Sequence, residues 1–139
     1  MKHPKLYDST PETRKRMSKV KLKNSDAEKL LAKRLWHLGY RYRKNDKRLP
    51  GSPDIAILKH RVAIFVDGEF WHGKDWDIRK SRLKRNREYW IEKIEENMAR
   101  DIRVDSELRK KEWTPIHFWA KDVTKNTDDC IAEILKLLT

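Results

Sequence analysis

Apolar residues along this chain change period several times, and each change marks an element. Ala27, Leu31, Leu35 and Leu38 recur at helical spacing. They predict a helix over about 25–38. Ser25-Asp26-Ala27-Glu28 opens it as a capping box would, and Gly39 stops it. A basic stretch over 40–48 follows, either an edge strand or a loop. Two short apolar runs come next, Ile55-Ala56-Ile57-Leu58 and Val62-Ala63-Ile64-Phe65-Val66. They are bounded by turn residues and predict strands at about 54–58 and 62–67. Residues 73–86 read as a loop. Trp90, Ile91, Ile94, Met98, Ile102 and Leu108 then define the inner side of a long helix over 86–110. Thr114-Pro115-Ile116-His117-Phe118-Trp119 predicts a third strand. Ile131, Ile134, Leu135 and Leu138 share one face of a last helix over 127–138. The order α-β-β-α-β-α predicts an α/β fold, a small mixed β-sheet flanked by helices. The expected organisation is a basic arm over 1–24 and one domain over 25–139.

Charge narrows the partners. Thirty-four Lys and Arg stand against 22 Asp and Glu, a net charge of +12. Such an excess points to nucleic acid or an anionic surface. No apolar run is long enough for a membrane-spanning helix, and residues 1–24 lack the apolar stretch of a signal peptide. The single cysteine, Cys130, allows no internal disulfide and no cysteine cluster for zinc, which fits a reducing cytosol. The arm carries Arg14, Lys15, Arg16, Lys19, Lys21 and Lys23, as a solvated tail or as a segment that orders on DNA. A second basic cluster includes Arg79, Arg82 and Arg85.

The carboxylates supply candidate chemistry. Asp54 follows Leu49-Pro50-Gly51-Ser52-Pro53 at the mouth of the first strand, and Asp67 and Glu69 end the second. Carboxylates gathered at a sheet edge suit a hard cation such as Mg²⁺. With a polyanion as substrate, this predicts a metal-dependent nuclease. Glu28 lies on the inner stripe of the first helix, as cap acceptor or as site residue. Asp101 lies on the apolar face of the long helix, where it either pairs with an arginine or serves the site. His72, just past the second strand, is placed to take a proton from water, and Asp101 is available to orient it. Phe70 and Trp71 are either core aromatics or a wedge that enters the base stack.

These motifs resemble the very short patch repair endonucleases. The likeness runs from Thr13-Arg14-Lys15-Arg16-Met17 and Glu28 through Leu49-Pro50-Gly51-Ser52-Pro53-Asp54 and Phe65-Val66-Asp67-Gly68-Glu69-Phe70-Trp71-His72-Gly73. It continues through Tyr89-Trp90-Ile91-Glu92-Lys93-Ile94 to Asp101, and ends at Phe118-Trp119. The resemblance implies a PD-(D/E)XK-like, restriction-endonuclease-like fold. It implies Asp54 as central metal ligand with the Val66 carbonyl, His72 as general base oriented by Asp101, and Glu28 completing the acidic cluster. Phe70 and Trp71 would enter the duplex from one side and Met17 from the other. The family's cut is a nick 5′ to the thymine of a G·T mispair, leaving a 5′-phosphate and a 3′-hydroxyl. Two departures stand out. Asp67 replaces a second histidine, which adds a carboxylate to the metal set. Glu69, Lys74, Trp76 and Lys121 stand where the family holds a structural zinc, so no zinc is expected and packing around Trp76 takes its place.

The expectation is therefore a cytoplasmic, bacterial or phage, Mg²⁺-dependent monomer. It would nick double-stranded DNA at G·T mismatches, with other repair proteins as further partners. The alternatives are a homing or restriction-associated endonuclease that cuts unmodified duplex, and a non-catalytic DNA-binding module.

Overall fold

The computed structural model describes residues 26–138. Ser25 and the arm residues Arg14, Arg16 and Met17 lie outside that range. Helix α1 covers 26–37. It is followed by β1 (Arg43–Lys44), β2 (Ile55–Ile57), β3 (Val62–Asp67), α2 (Trp76–Arg82), α3 (Arg87–Lys110), β4 (Thr114–Trp119), α4 (Ala120–Lys125) and α5 (Thr127–Leu137). The sheet order is β1-β2-β3-β4. The first two pairings are antiparallel, and β3 pairs β4 in parallel. A parallel pair needs a long crossover, and α2 and α3 supply it.

Every residue of β3 is buried, because helices cover both faces of the sheet. Val62, Ile64 and Val66 face one layer, packed with Leu31 and Leu35 of α1 and Ile131 and Ile134 of α5. Ala63 and Phe65 face the other, under Leu108 and Val104 of α3. Asp67 continues this second row by the two-residue period of a strand.

Several expectations need correction. The segment over 73–86 is not all loop, since it contains α2. No residue of α2 is buried, so no apolar stripe announces it. Helix α4 was hidden for a similar reason, being six residues with only Ala120 and Val123 buried. Leu38 is exposed, because the chain leaves the helix before it and turns at Gly39 with φ +95°. Ile102 is 72% exposed. At roughly 100° per residue, the row that faces the sheet is Ile94, Met98, Asp101, Asp105 and Leu108. Ile102 falls beside that row. Of the two readings of Asp101, the contact with His72 is the one present, at 2.6 Å.

Candidate active site

Three local structures deliver the site. The first is the turn before β2. The Asp46 carboxylate accepts from Nε and Nη2 of Arg48 at 3.0 and 2.9 Å and from the Arg48 backbone N–H at 3.1 Å. The Asn45 N–H donates to the Asp54 carbonyl at 3.1 Å. At Gly51, φ is +74°, and a Cβ there would collide with Val104 of α3. Only glycine permits both the turn and the close approach. The turn leaves Asp54 beside the end of β3, where its Oδ2 accepts the Val66 N–H at 2.7 Å.

The second is the tight turn after β3. The His72 N–H donates to the Gly68 carbonyl at 3.1 Å, and the Lys74 N–H donates to the Glu69 carbonyl at 3.0 Å. The His72 ring thereby turns back towards α3. Its Nδ1 donates to Oδ2 of Asp101 at 2.6 Å, and its Nε2 lies 3.9 Å from Oδ1 of Asp67. The third is α3 itself, which contributes Asp101 and, one turn on, Asp105.

Asp54, Asp67, His72 and Asp101 line one cleft of about 320 Å³, open to solvent between the end of β3 and α3. Glu28 reaches the same cluster from α1. Burial, then the charge of Asp54 and a hydrogen bond with it, push the Glu28 carboxyl up to about 7, against the pull of Lys44. Burial likewise raises Asp54, although the Val66 N–H and Glu28 hold it back. The two carboxylates stand close enough for each to shift the other's titration. For His72, burial alone would lower the pKa. The hydrogen bond to Asp101 and the charges of Asp67 and Asp101 outweigh it, and the net shift is upward.

The donors fit a hard divalent cation. Ligand atoms of Asp67, His72 and Asp101 lie within 4.8 Å of one another. The His72–Asp101 bond commits Nδ1, which leaves the carboxylate oxygens of Asp67 and Asp101 as the hard donors of that group, with Asp54 lining the same cleft. Glu69, Lys74, Trp76 and Lys121, where the resemblance would put a zinc, supply no soft donor. The Glu69 carboxylate already accepts the Lys121 N–H at 2.9 Å, and Lys74 lies 5.9 Å from the centre of the Trp119 ring. Trp76 Nε1 and Lys80 Nζ both donate to Oε2 of Glu95, at 2.9 and 3.0 Å.

Phe70 and Trp71 are half-buried rather than free-standing. Their rings meet edge to face at 5.4 Å, and both contact Trp90, at 5.1 and 5.2 Å. The Trp71 carbonyl accepts from Nδ2 of Asn97 at 3.1 Å. Arg79 is half-buried at the end of α2, and Arg82 and Arg85 are exposed around the α2–α3 connection.

Two residues escaped the sequence reading. His117 of β4 lies opposite Phe65 in the parallel register and stacks on its ring at 4.6 Å and 10°. Its Nδ1 bonds Oδ2 of Asp67 at 2.7 Å and its Nε2 bonds Oδ1 of Asp105 at 2.6 Å. Burial opposes its charge, but the two carboxylates lift its pKa to about 9. The available signals were a polar residue alternating with Ile116 and Phe118, and an aspartate four positions after Asp101.

Residues 7–78 match the family model described as DNA mismatch endonuclease Vsr. The chain is 51% identical over 131 residues to the type II nicking enzyme V.HpaIIP of Haemophilus parainfluenzae, covering 93% of each chain. It is 50% identical to the type II nicking enzyme V.NmeDIP of Neisseria meningitidis serogroup C, over 90% of this chain and 85% of that one. Against the DNA mismatch endonuclease Vsr of Escherichia coli K12 the identity is 34%, over 88% and 80%. The chain belongs to the Vsr family of DNA endonucleases, whose fold is of the restriction-endonuclease type.

Proposed function

We propose that this endonuclease is Mg²⁺-dependent and nicks duplex DNA at G·T mismatches by phosphodiester hydrolysis, acting in the bacterial cytoplasm. One observation carries the chemistry. His72 is fixed by Asp101 through Nδ1, so that Nε2 faces the cleft beside Asp67 and Asp54. A neutral imidazole held this way has its lone pair on Nε2. It accepts the proton of a water that attacks the scissile phosphate. Asp54, Asp67 and Glu28, with the Val66 carbonyl, would hold the cation. A bound Mg²⁺ supplies a lowered water pKa and charge stabilisation at the phosphate. Asp101 keeps the ring in its tautomer.

Recognition rests on Phe70 and Trp71. Packing on Trp90 makes the pair rigid, so little side-chain entropy is lost when exposed ring edges enter a base step. A wobble pair unstacks more readily than a Watson–Crick pair, which favours the mismatch. Arg79, Arg82 and Arg85, with Arg14 and Arg16 of the arm, bind phosphates without reading sequence. Met17 enters opposite the aromatic pair.

The test is nicking of otherwise identical G·T and G·C duplexes, with Mg²⁺ and with chelator. The expected result is Mg²⁺-dependent nicking confined largely to the G·T strand. Equal nicking of both duplexes would replace the mismatch reading with that of an enzyme cutting intact DNA. Absence of nicking on either would leave a binding protein.

A further inference from the structure

We propose that His117 is the positioning residue of the site, holding Asp67 so that a single oxygen, Oδ1, is presented to the cleft. This rests on the reading above that Asp67 is a cation ligand. The residue belongs to no part of the machinery already described, because it reaches neither Asp54 nor His72 by a hydrogen bond.

Three observations converge on it. Both ring nitrogens are engaged, Nδ1 with Asp67 at 2.7 Å and Nε2 with Asp105 at 2.6 Å. The ring lies flat on Phe65, whose own side chain is 8% exposed and packed under Leu108. Asp105 sits on α3 one turn beyond Asp101, so a single helix buttresses both histidines. An imidazole with two carboxylate partners and a ring stacked beneath it has no rotational freedom. Through Oδ2 it takes that freedom from Asp67 as well.

The consequence is a division of labour between the two oxygens of Asp67. Oδ2 is consumed by His117. Oδ1 points towards His72 Nε2, 3.9 Å away. The gap is too long for a hydrogen bond, so Oδ1 keeps its lone pairs for another partner. A bidentate hold on a cation by Asp67 is thereby disfavoured, and the orientation of Oδ1 is set before any ion arrives. A group bonded behind a metal ligand in this way commonly changes metal affinity or activity by roughly 10–100-fold when removed. A histidine serving only to fill space beneath α3 would show its loss in fold stability alone.

The experiment compares His117→Gln, Asp105→Asn, Asp67→Asn and the His117→Gln/Asp67→Asn double variant in the full chain. Three quantities are read: melting temperature, calorimetric affinity of the DNA-free protein for Mn²⁺ alone, and kcat and KM for the nicked duplex. His117→Gln is expected to weaken Mn²⁺ binding and lower kcat, each by roughly 10-fold or more, while KM changes less than about twofold. Asp105→Asn should act in the same direction by a smaller factor. The double variant should be no worse than Asp67→Asn, because both lesions remove the same presented oxygen. Wild-type Mn²⁺ affinity and kcat in both His117→Gln and Asp105→Asn would overturn the inference, as would additive losses in the double variant. If His117→Gln does not fold, Asp105→Asn decides. Asp67→Asn behaving as wild type would instead sink the reading of Asp67 as a ligand.

Discussion

The two rows of β3 side chains are built on opposite principles. Val62, Ile64 and Val66 enter an apolar layer closed by α1 and α5. Ala63, Phe65 and Asp67 begin in the same manner under α3 and end in charge. The facing row of α3 mirrors them, with Asp101 and Asp105 interposed between Ile94 and Leu108. One face of the sheet buries what water rejects. The other brings together the carboxylates of Asp67, Asp101 and Asp105 around two histidines. Stability and activity are therefore expected to separate by face.

The sharpest break between them is Asp54→Asn. The amide still accepts the Val66 N–H, so the fold should melt at the same temperature or higher. Nicking should fall below detection. His72→Ala should reduce it by roughly 10²–10⁴-fold, the usual loss for a general base. Wild-type nicking by Asp54→Asn in Mg²⁺ would remove this residue from the site. On the other face, Ile64→Ala should lower unfolding free energy by about 2–5 kcal/mol, as a buried isoleucine truncation does. At low temperature its turnover per folded molecule should be unchanged. Urea melts beside active-site titration check this, and loss of turnover in the folded fraction would show that the faces are coupled.

A smaller effect is expected at the aromatic pair. Trp71→Ala should cut the preference for G·T over G·C by about tenfold, equivalent to about 1.4 kcal/mol, with binding to plain duplex little altered. Arg82→Ala and Arg85→Ala should weaken both duplexes alike and each reduce the salt slope of binding by about 1. An intact G·T preference in Trp71→Ala would reassign the pair to packing alone.

The smallest effect is in pH. Glu28 holds its proton more tightly folded than unfolded, so its stabilisation is full below about 4.5 and lost as pH rises through about 7. His117 acts in the same direction, full below about 6.5 and lost through about 9. Metal-free melting temperature should decline from pH 5 to pH 9. Added Mg²⁺ should raise it more at pH 8 than at pH 5, since the cation replaces the proton that Glu28 has released. A flat metal-free profile, or a larger Mg²⁺ shift at pH 5, would contradict this account.

Legibility in the sequence followed the same division. The stripe Ala27, Leu31, Leu35 and the runs over 55–58 and 62–66 announced the apolar face because burial imposes a period. Asp54, His72 and Asp101 were visible as polar groups set against those periods, and the observed contacts join His72 to Asp101 as expected. The clamp of Asp67, His117 and Asp105 was not visible. Its members come from β3, β4 and α3, and only the parallel register of β3 with β4 makes them neighbours. Helix α2 was hidden because it buries nothing.

That register has a consequence for how the enzyme comes into being. Asp67 and His117 are 50 residues apart in the chain. Their meeting requires the whole crossover to close, and closure of a long loop is an entropic cost met before the contacts it permits are made. Asp54 and Val66, 12 residues apart, are joined by the local antiparallel pair and need no such closure. The acidic corner can thus form early, while the clamp waits for β4 to dock. A nascent chain with β4 still untranslated holds Asp54, His72 and Asp101 but lacks the strand that fixes Asp67. The clamp on Asp67 is therefore among the last parts of the site to be assembled.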